Sequence, residues 1–505
     1  MKFLGNAAFL WVACSAMLGA CSAFVVPSIT VSKQRQTLHH LTSTISSVDN
    51  GPMLVEEIDE ASESEQFNWF KAWYPVVPIE MLDPEKPHQY QLLGMDLVIW
   101  KDAVVEGGKF ESKKKRPKKA KRTGGQWRVF VDECPHRKVP LSEGRVEDDG
   151  SILCSYHAFR FNGTGNLIDV PQYAGLDDFD LEQVQKNPKS QCNSFPTRII
   201  DGVLWVWPET GDDARLESLL TEPKHYKLPD GVDADRAWYG PWNYRELPYS
   251  ADYFIENVMD PAHVSVSHHG IVGSRYGDQT MKVIPGDIKL SKEGFSQFVT
   301  RPGEDGKSQI QSHNTFHAPA HVELETSFGE GALQTLELYA SPSRPGFCNH
   351  VGRMVIVKDK TDKMPPLLKQ FTAPLPKWLN HVLAASFLNQ DAVFLHAQER
   401  YLTKTESYIT HTKSDATDYS RAVLPIQADY GVVKFRTWLS KLAGGFIPYK
   451  YQGKNPVMPD VDPDVCFDQW NSHTSKCQIC LRALSNLKKA RIASFLVSVM
   501  VSESS

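Results

Sequence analysis

The stretch "CPHRKVPLSEGRVEDDGSILCSYH" runs from Cys134 to His157 and carries one cysteine and one histidine at each end. The spacing is Cys-x-His at the first end and Cys-x-x-His at the second, with seventeen residues between His136 and Cys154. Two thiolates and two imidazoles on facing loops can hold either a structural zinc ion or an iron–sulfur cluster. This stretch therefore predicts a metal-binding hairpin around which the first domain is built.

The order of the ligands favours the cluster over zinc. Zinc fingers typically pair cysteine with cysteine and histidine with histidine along the chain, whereas the two types alternate here. A cluster with two imidazoles on one iron needs one cysteine and one histidine from each of two loops, and the imidazoles raise its reduction potential. Gly144 and Gly150 allow the segment between the loops to turn.

The pattern "CPHR…PLSEG…CSYH…F" closely resembles the Rieske [2Fe–2S] signature. The resemblance implies that the cluster ligands are Cys134, His136, Cys154 and His157. The family usually has Gly-Trp after the second histidine, where this chain has Ala158 and Phe159. We expect this departure to affect packing beside the cluster and to leave the ligands unchanged.

A second motif, "ENVMDPAHVSVSHHG", places Glu256, Asp260, His263 and His268 at intervals of four, three and five. It resembles the mononuclear-iron motif of Rieske non-haem oxygenases. The resemblance implies that His263 and His268 are two ligands of a 2-His-1-carboxylate triad, which leaves iron positions open for O₂. Taken alone, the stretch is equally typical of a helix N-terminus with surface histidines. The third ligand implied by the resemblance is Asp391, in "FLNQDAVFLHAQER".

Asp260 is expected to act in catalysis without binding iron. The resemblance implies a ring-shaped homotrimer in which the cluster of one subunit serves the iron of its neighbour. A histidine bound to metal through one nitrogen usually donates its other N–H to a carboxylate. We therefore expect Asp260 to bridge His263 to His136 or His157 of an adjacent chain. The alternative is an aspartate that caps a turn before Pro261.

The third distinctive stretch is "WNSHTSKCQICLRAL", with Cys477 and Cys480 in a Cys-x-x-Cys pattern. This tail behind the two iron motifs resembles the pheophorbide a oxygenase group. That group includes the Rieske subunit of the plastid inner-envelope translocon and a protochlorophyllide-associated relative. We expect a redox-active dithiol that thioredoxin reduces, because this spacing lowers a thiol pKa. The alternative is a zinc half-site completed by Cys466 and His473.

The resemblance covers roughly residues 67–484 and implies a Rieske-type oxygenase with a [2Fe–2S] cluster and a mononuclear Fe(II). It would use O₂ and electrons from ferredoxin to oxidise a tetrapyrrole, most simply a pheophorbide a-like macrocycle in chlorophyll breakdown. One alternative is a redox-sensing Rieske component of the plastid protein-import machinery. Another is a relative that oxidises chlorophyllide or protochlorophyllide.

The predicted fold class is α+β. Short apolar runs between Tyr90 and Val206, punctuated by Gly, Asp and Pro, predict an antiparallel β Rieske domain. Behind it, alternating stretches such as "AHVELETSF" and the helical spacing of "KWLNHVLAASFLNQDAVFLHAQERYL" fit a helix-grip catalytic domain, an antiparallel sheet plus helices. The predicted organisation is a signal peptide (1–23), a plastid transit-like segment (24–50), an acidic linker (51–66), the Rieske domain (67–210), the catalytic domain (211–450) and a Cys-x-x-Cys tail (451–505).

The N-terminal segment is interpreted as a targeting signal. An early Lys2, an apolar stretch from Ala7 to Leu18 and small residues ending at Ala23 are typical of a signal peptide. The Ser- and Thr-rich stretch that follows, from Phe24 to Asn50, resembles the second part of the bipartite presequence of secondary plastids. We therefore expect a plastid protein at the inner envelope or thylakoid, the alternative being an ordinary secreted protein. The short apolar end, "ARIASFLVSVMVSESS", is shorter than a membrane span.

Composition excludes some functions. The chain has 505 residues, 41% of them hydrophobic, and a net charge of −5, so it has no global attraction for nucleic acid. Its nine cysteines are too few and too scattered for a disulfide framework. The basic run from Lys109 to Arg122 is either a solvated loop or a landing site for acidic ferredoxin or anionic lipid.

Overall fold

The computed structural model describes residues 66–105, 122–173, 180–272, 274–277, 280–302, 309–409, 422–450 and 461–503. The expected signal peptide, transit-like segment and nearly all of the acidic linker lie outside these residues. So does the basic run except for its last member, Arg122. That residue is buried, and its guanidinium donates to the carbonyls of Ala103, Val146 and Glu147 at 2.7–2.8 Å.

The N-terminal part of the fold consists of short antiparallel strands. They are β1 Tyr74–Pro78, β2 His88–Leu92, β3 Met95–Lys101, β4 Val104–Val105, β5 Arg122–Thr123, β6 Trp127–Val131, β7 Arg145–Val146, β8 Ile152–Leu153, β9 Arg160–Phe161, β10 Leu167–Asp169, β11 Thr197–Ile200 and β12 Val203–Val206. The strand orders are β2-β3-β6, β10-β9-β8-β7, β1-β12-β11 and the pair β4-β5. Helix α1, Leu181–Lys186, lies between β10 and β11.

From residue 97 to residue 100, strand β3 is buried on both faces, which explains the continuous apolar run "LVIW". Leu97 and Ile99 point into the larger of two hydrophobic cores, and Val98 and Trp100 point into the smaller one. Side chains alternate between faces along a strand, so a strand between two cores must be apolar at every position. The smaller core also contains Cys134 and Cys154, which places the cluster loops directly on it.

The C-terminal part is built on one eight-stranded antiparallel sheet. Its strands are β13 Ala237–Tyr239, β14 Asn243–Leu247, β15 Lys282–Pro285, β16 Gly294–Pro302, β17 Gln309–His317, β18 His321–Ser327, β19 Leu333–Arg344 and β20 Phe347–Val357. The order is β13-β20-β19-β18-β17-β16-β15, with β14 also paired to β20. Together with the helices, this arrangement confirms the predicted α+β class.

The helices carry the residues of the second motif and of the tail. They are α2 Asp212–Leu220, α3 Ala251–Met259, α4 His263–Ser267, α5 Lys377–Ile409, α6 Tyr430–Thr437, α7 Gln469–Ser472 and α8 Gln478–Glu503. Helix α3 ends at Met259 because Asp260 precedes Pro261, and a residue before proline is disfavoured in the helical conformation. The chain therefore turns at Asp260, and His263 begins a new helix.

Residues on both sides of the expected domain boundary at 210 share the larger core. Trp69 Nε1 donates to the carbonyl of Ala443 at 3.0 Å, and Ser341 Oγ donates to the carbonyl of Pro75 at 2.7 Å. The boundary itself stays a prediction. Within the described residues, no helix combines the length and the apolar character that crossing a membrane requires.

Candidate metal centres

The predicted cluster ligands lie on two adjacent loops, one after β6 and one after β8. Cys134 and Cys154 are buried, and their thiol groups lie side by side. The ring centroids of His136 and His157 are 4.6 Å apart. His136 is exposed and His157 is half-buried. Two thiols on the inner side and two imidazoles on the outer side fit a Rieske cluster whose histidine end faces solvent.

The two loops have the same backbone hydrogen bonds. These are Lys138 N–H to Cys134 O (2.8 Å), Cys134 N–H to Val139 O (2.8 Å), Ala158 N–H to Cys154 O (2.9 Å) and Cys154 N–H to Phe159 O (2.9 Å). In each loop, the fourth residue after the cysteine is left-handed: Lys138 has φ 60° and Ala158 has φ 59°. Left-handed backbone favours glycine, which explains why the family usually has glycine where this chain has Ala158.

Phe159 occupies the place of the family's tryptophan and stacks on His136, with ring centroids 4.5 Å apart and planes 3° apart. The departure from the family pattern therefore affects packing, as expected, because a phenylalanine ring replaces the usual tryptophan ring against His136. The segment between the loops turns at Gly150, whose φ is 81°. Gly144 is needed for a different reason, because a Cβ there would lie 2.3 Å from the carbonyl oxygen of Leu153.

The second motif also assembles with its distant carboxylate. His263 begins α4, His268 follows its end, and Asp391 lies near the middle of α5. The Oδ2 atom of Asp391 is 3.1 Å from His268 Nε2 and 3.9 Å from His263 Nε2. One donor atom from each residue lies within 4.8 Å of the others, as one metal ion requires. His268 is only 1% exposed, which does not fit a surface histidine.

Both histidines are oriented by hydrogen bonds on the side away from Asp391. His263 Nδ1 is 2.6 Å from the carbonyl oxygen of Asp260, and His268 Nδ1 is 2.9 Å from Oε1 of Gln390. Because carbonyl and amide oxygens accept, each Nδ1 donates, which leaves each Nε2 directed toward Asp391; a bound cation would take the place of the proton on His268 Nε2. The Phe387 ring stacks on His268, with centroids 3.8 Å apart.

Asp391 is held by two donors that the sequence analysis did not identify. Ser267 Oγ donates to Oδ1 at 2.6 Å, and Asn257 Nδ2 donates to Oδ2 at 3.3 Å. Burial raises the pKa of Asp391, but hydrogen bonding from His268 and the charge of His263 outweigh burial, so its pKa is lowered. Burial likewise lowers the pKa of His268, and Asp391 more than reverses this. The carboxylate is therefore ionised and ready to bind a cation.

The Asp260 carboxylate faces away from direct ligation. Its Oδ1 accepts the backbone N–H of Ala262 at 2.7 Å, and its Oδ2 is 3.8 Å from His263 Nδ1. Burial is the largest cause of its raised pKa. Within one chain, Asp260 therefore caps the turn before α4 and contacts His263 through its backbone carbonyl. Glu256, in the same motif, pairs instead with Arg436, at 2.5 Å from Nε.

The tail cysteines lie beside two histidines. Donor atoms of His381, His473, Cys477 and Cys480 all lie within 4.8 Å of one another. His381 is in α5 and was not identified from the sequence, since it lies 99 residues before Cys480. Cys466, which the zinc alternative grouped with His473, lies outside this set, and its Sγ donates to the carbonyl of Ala392 at 3.6 Å.

Comparison with known proteins identifies two families along this chain. The Rieske [2Fe-2S] domain family matches residues 72–180, and the pheophorbide a oxygenase family matches residues 316–408. Flavonoid 8-hydroxylase 2, chloroplastic, of Ocimum basilicum is 26% identical over 90% of this chain and 81% of its own length. Pheophorbide a oxygenase, chloroplastic, of Oryza sativa subsp. japonica is 28% identical over 84% of this chain and 75% of its own.

A third relative is the protochlorophyllide-dependent translocon component 52, chloroplastic, of Arabidopsis thaliana, 24% identical over 86% of this chain and 76% of its own length. The first family match spans all four predicted cluster ligands, and the second spans Asp391 and His381. The chain therefore combines a Rieske [2Fe–2S] domain with a pheophorbide a oxygenase domain and is similar over most of its length to Rieske non-haem iron oxygenases, with a Rieske [2Fe–2S] cluster and a mononuclear iron as the implied cofactors.

Proposed function

We propose that this protein is a plastid oxygenase that oxidises a tetrapyrrole, a pheophorbide a-like macrocycle, with O₂ and electrons from ferredoxin. The observation that carries the proposal is the convergence of His263, His268 and Asp391 in a chain whose residues 316–408 match the pheophorbide a oxygenase family. A triad of two imidazoles and one carboxylate fits a mononuclear iron and leaves positions open.

When bound, the cluster supplies electrons one at a time and the mononuclear iron supplies O₂ activation. The contribution of the chain is to hold the donor atoms in place. Gln390 and the Asp260 carbonyl fix the two histidine rings, while Ser267 and Asn257 fix the carboxylate. These four contacts keep each Nε2 and the Asp391 Oδ2 directed at one point, which preorganises the site before substrate arrives.

The substrate is tested with the purified full chain, ferredoxin and a reducing system. Pheophorbide a, chlorophyllide a, protochlorophyllide and a flavone are each incubated under O₂, and products are identified by mass spectrometry. We expect oxygen to be added to pheophorbide a in preference to the others. The flavone is included because one similar protein is a flavonoid 8-hydroxylase. Oxidation of the flavone alone, or of no tetrapyrrole, would contradict the proposal.

The second candidate is a redox-sensing component of the plastid import machinery. It is favoured by the similarity to translocon component 52 and to Protein TIC 55 of Arabidopsis thaliana, which is 26% identical over 82% of this chain. The two candidates differ in turnover. Sustained O₂ consumption that depends on substrate supports the oxygenase, whereas co-purification with import components and no substrate turnover supports the second candidate.

We further propose that the working unit is a homotrimer in which Asp260 contacts a cluster histidine of the neighbouring subunit. The exposed His136 supports this, because an exposed cluster histidine can reach a partner. Light scattering of the intact protein should give the mass of three chains. If the protein is a monomer at working concentration, the bridge between subunits is excluded.

The proposed location is a plastid membrane surface, inner envelope or thylakoid. The second half of α8 supports association, since Leu487, Ile492 and Phe495 are exposed and Lys488, Lys489 and Arg491 lie beside them. Apolar and basic side chains on one exposed helix favour anionic lipid surfaces. Flotation with vesicles of plastid lipid composition should recover the full chain, and a chain ending at residue 486 should remain unbound.

A further inference from the structure

A third group of potential metal ligands lies outside both iron centres, where α5 meets the C-terminal segment. It consists of His381, His473, Cys477 and Cys480, each at most 8% exposed. We propose that these four side chains bind one structural Zn²⁺ ion, which fastens the C-terminal segment to helix α5. The inference concerns stability and does not rest on the proposed substrate.

The distances among the donor atoms fit a single tetrahedral ion. Sγ of Cys480 is 3.2 Å from His381 Nδ1 and 3.2 Å from His473 Nε2, and the two nitrogens are 3.2 Å apart. Sγ of Cys477 is 3.8 Å from His381 Nδ1. With Zn–N near 2.0 Å and Zn–S near 2.3 Å, tetrahedral ligands lie about 3.3–3.8 Å from one another.

The same distances argue against a second two-iron cluster. In a Rieske cluster the thiolates bind one iron and the imidazoles bind the other. Here each imidazole nitrogen lies as close to the Cys480 thiol as to the other imidazole. All four donors therefore surround one point, and two thiolates with two imidazoles around one ion are typical of structural zinc.

A hydrogen bond outside the group prepares His473 as a ligand. Its Nδ1 is 2.7 Å from the carbonyl oxygen of Tyr244 in β14. A carbonyl only accepts, so the proton lies on Nδ1 and the lone pair lies on Nε2, the atom that faces Cys480 and His381. Histidine ligands of zinc commonly have such a carbonyl partner, which fixes ring and tautomer.

The two cysteines are too buried to act as an accessible dithiol. Cys477 is 1% exposed and Cys480 is 8% exposed, so another protein could reach them only after the segment opens. Gln478, between them, donates to the carbonyls of Glu80 and Leu82 at 2.9 and 2.6 Å, which holds the segment against the N-terminal part of the chain. A buried Cys₂His₂ set at such a junction has the role of a cross-link.

The proposed zinc site and the mononuclear iron site share helix α5. His381 and Asp391 are ten residues apart on α5, about 15 Å along its axis. An ion bound at His381 holds the first turns of α5 against β14 and the tail. It thereby limits the sliding of the helix that carries Asp391.

Metal analysis of the full-length protein tests the proposal. The wild type is expected to contain about one zinc per chain besides iron. Cys480→Ser and His381→Ala are each expected to lower bound zinc at least tenfold while the Rieske signal in electron paramagnetic resonance is retained. Cys466→Ser is the matched control, because this buried cysteine lies nearby and outside the group, and it should keep its zinc.

A measurement on the wild type alone covers the case in which the variants do not fold. X-ray absorption at the zinc edge should show two sulfur neighbours at about 2.3 Å and two nitrogen neighbours at about 2.0–2.1 Å. Wild-type protein without zinc, with Cys477 and Cys480 joined by a disulfide in peptide mapping, would overturn the proposal. So would zinc surrounded by oxygen alone, or retention of zinc in both variants.

Discussion

At the scale of single residues, Ala158 has a left-handed backbone in the second cluster loop, where glycine is more stable. We predict that Ala158→Gly stabilises the protein by about 1 kcal/mol, because a Cβ is unfavourable at φ 59°. In a chain of this length the melting temperature should rise by roughly 1–2 °C, with the cluster spectrum unchanged.

The matched control for Ala158→Gly is Ala397→Gly. Ala397 is exposed in the interior of α5, so glycine there should destabilise the helix by up to about 1 kcal/mol. Opposite signs for the two substitutions confirm the left-handed loop. A lower melting temperature for Ala158→Gly would mean that the loop does not have this conformation.

Asp391 and Asp260 both lie near His263, and we predict that they behave differently. Asp391→Asn should lose the mononuclear iron, because a neutral amide replaces the only carboxylate in the donor group, so iron falls from about three to about two atoms per chain. Asp260→Asn should keep all of its iron and slow single-turnover reoxidation of the reduced protein, because the proposed hydrogen bond between the Asp260 carboxylate and a cluster histidine of the neighbouring subunit would lose its charge assistance.

Iron analysis and stopped-flow spectroscopy separate these roles. If Asp260→Asn loses iron, Asp260 supports the metal site itself. If it reoxidises at the wild-type rate, Asp260 serves only as the cap of the turn before α4, which is the contact seen within one chain.

Residue patterns and resemblance predicted the donor residues of the two iron centres, but not the residues that hold those donors in place. Resemblance to the mononuclear-iron motif pointed to His263 and His268, and resemblance to a later helix of the family pointed to Asp391. Ser267 and Asn257 could not be predicted, because a polar residue near a helix end is common and its partner lies 124 or 134 positions away. His381 could not be predicted for the same reason, because its partners are distant in the chain. Its own segment has only the spacing of an ordinary helix.

At the scale of secondary structure elements, Arg245 of β14 ties the sheet to α5 and to the tail. Its guanidinium donates to Asn389 Oδ1 (2.6 Å), to the carbonyl of Ala385 (3.2 Å), to the carbonyl of Cys466 (2.8 Å) and to Ser472 Oγ (3.3 Å). Lysine cannot reproduce this planar set of donors.

We therefore predict that Arg245→Lys destabilises the protein by about 3 kcal/mol, because buried acceptors lose their donors. Thermal unfolding measures the effect, and Arg236→Lys, at a more exposed site, is the control. An Arg245→Lys melting temperature equal to that of the wild type would show that these elements are held together without this residue.

Glu399 of α5 makes the contact between α5 and α3 dependent on pH. It is buried and accepts the backbone N–H of Ser250 at 3.1 Å, and burial raises its pKa to about 7. The unfolded carboxyl titrates near 4.3, so between about pH 4.3 and 7 the folded protein binds more protons than the unfolded chain. The contribution is complete below the unfolded pKa and is lost as pH rises through the folded pKa.

Glu399→Gln should remove this dependence. From pH 5.5 to pH 7.5 the wild type is expected to lose about 2 kcal/mol of stability relative to the glutamine variant, and its melting temperature should fall accordingly. Parallel curves for the two proteins would contradict the raised pKa.

Whether a segment forms a helix or a strand was easier to predict than what that element packs against. Alternation in "AHVELETSF" and helical spacing in "KWLNHVLAASFLNQDAVFLHAQERYL" predicted β18 and α5, because each has one consistent pattern over its length. The role of β3 could not be predicted from periodicity. A strand buried on both faces shows a continuous apolar run that is also typical of a buried helix segment.

At the scale of the whole molecule, the first strands and the catalytic sheet share one core. Trp69, Trp73 and Tyr74 pack in the same cluster as Phe316 and Trp438. A sequence reveals each β segment but not which segments pack together, since that depends on contacts between residues hundreds of positions apart. The Rieske loops, by contrast, lie on their own smaller core.

The central claim is that one chain holds two different iron centres. Electron paramagnetic resonance of the full-length protein, reduced with dithionite and then exposed to nitric oxide, tests it most directly. We predict the Rieske-type signal of a reduced cluster together with the high-spin signal of an iron–nitrosyl, and we predict that Asp391→Asn keeps the first signal and loses the second. A wild-type protein that shows neither signal and carries zinc at Cys134 and Cys154 would contradict the account.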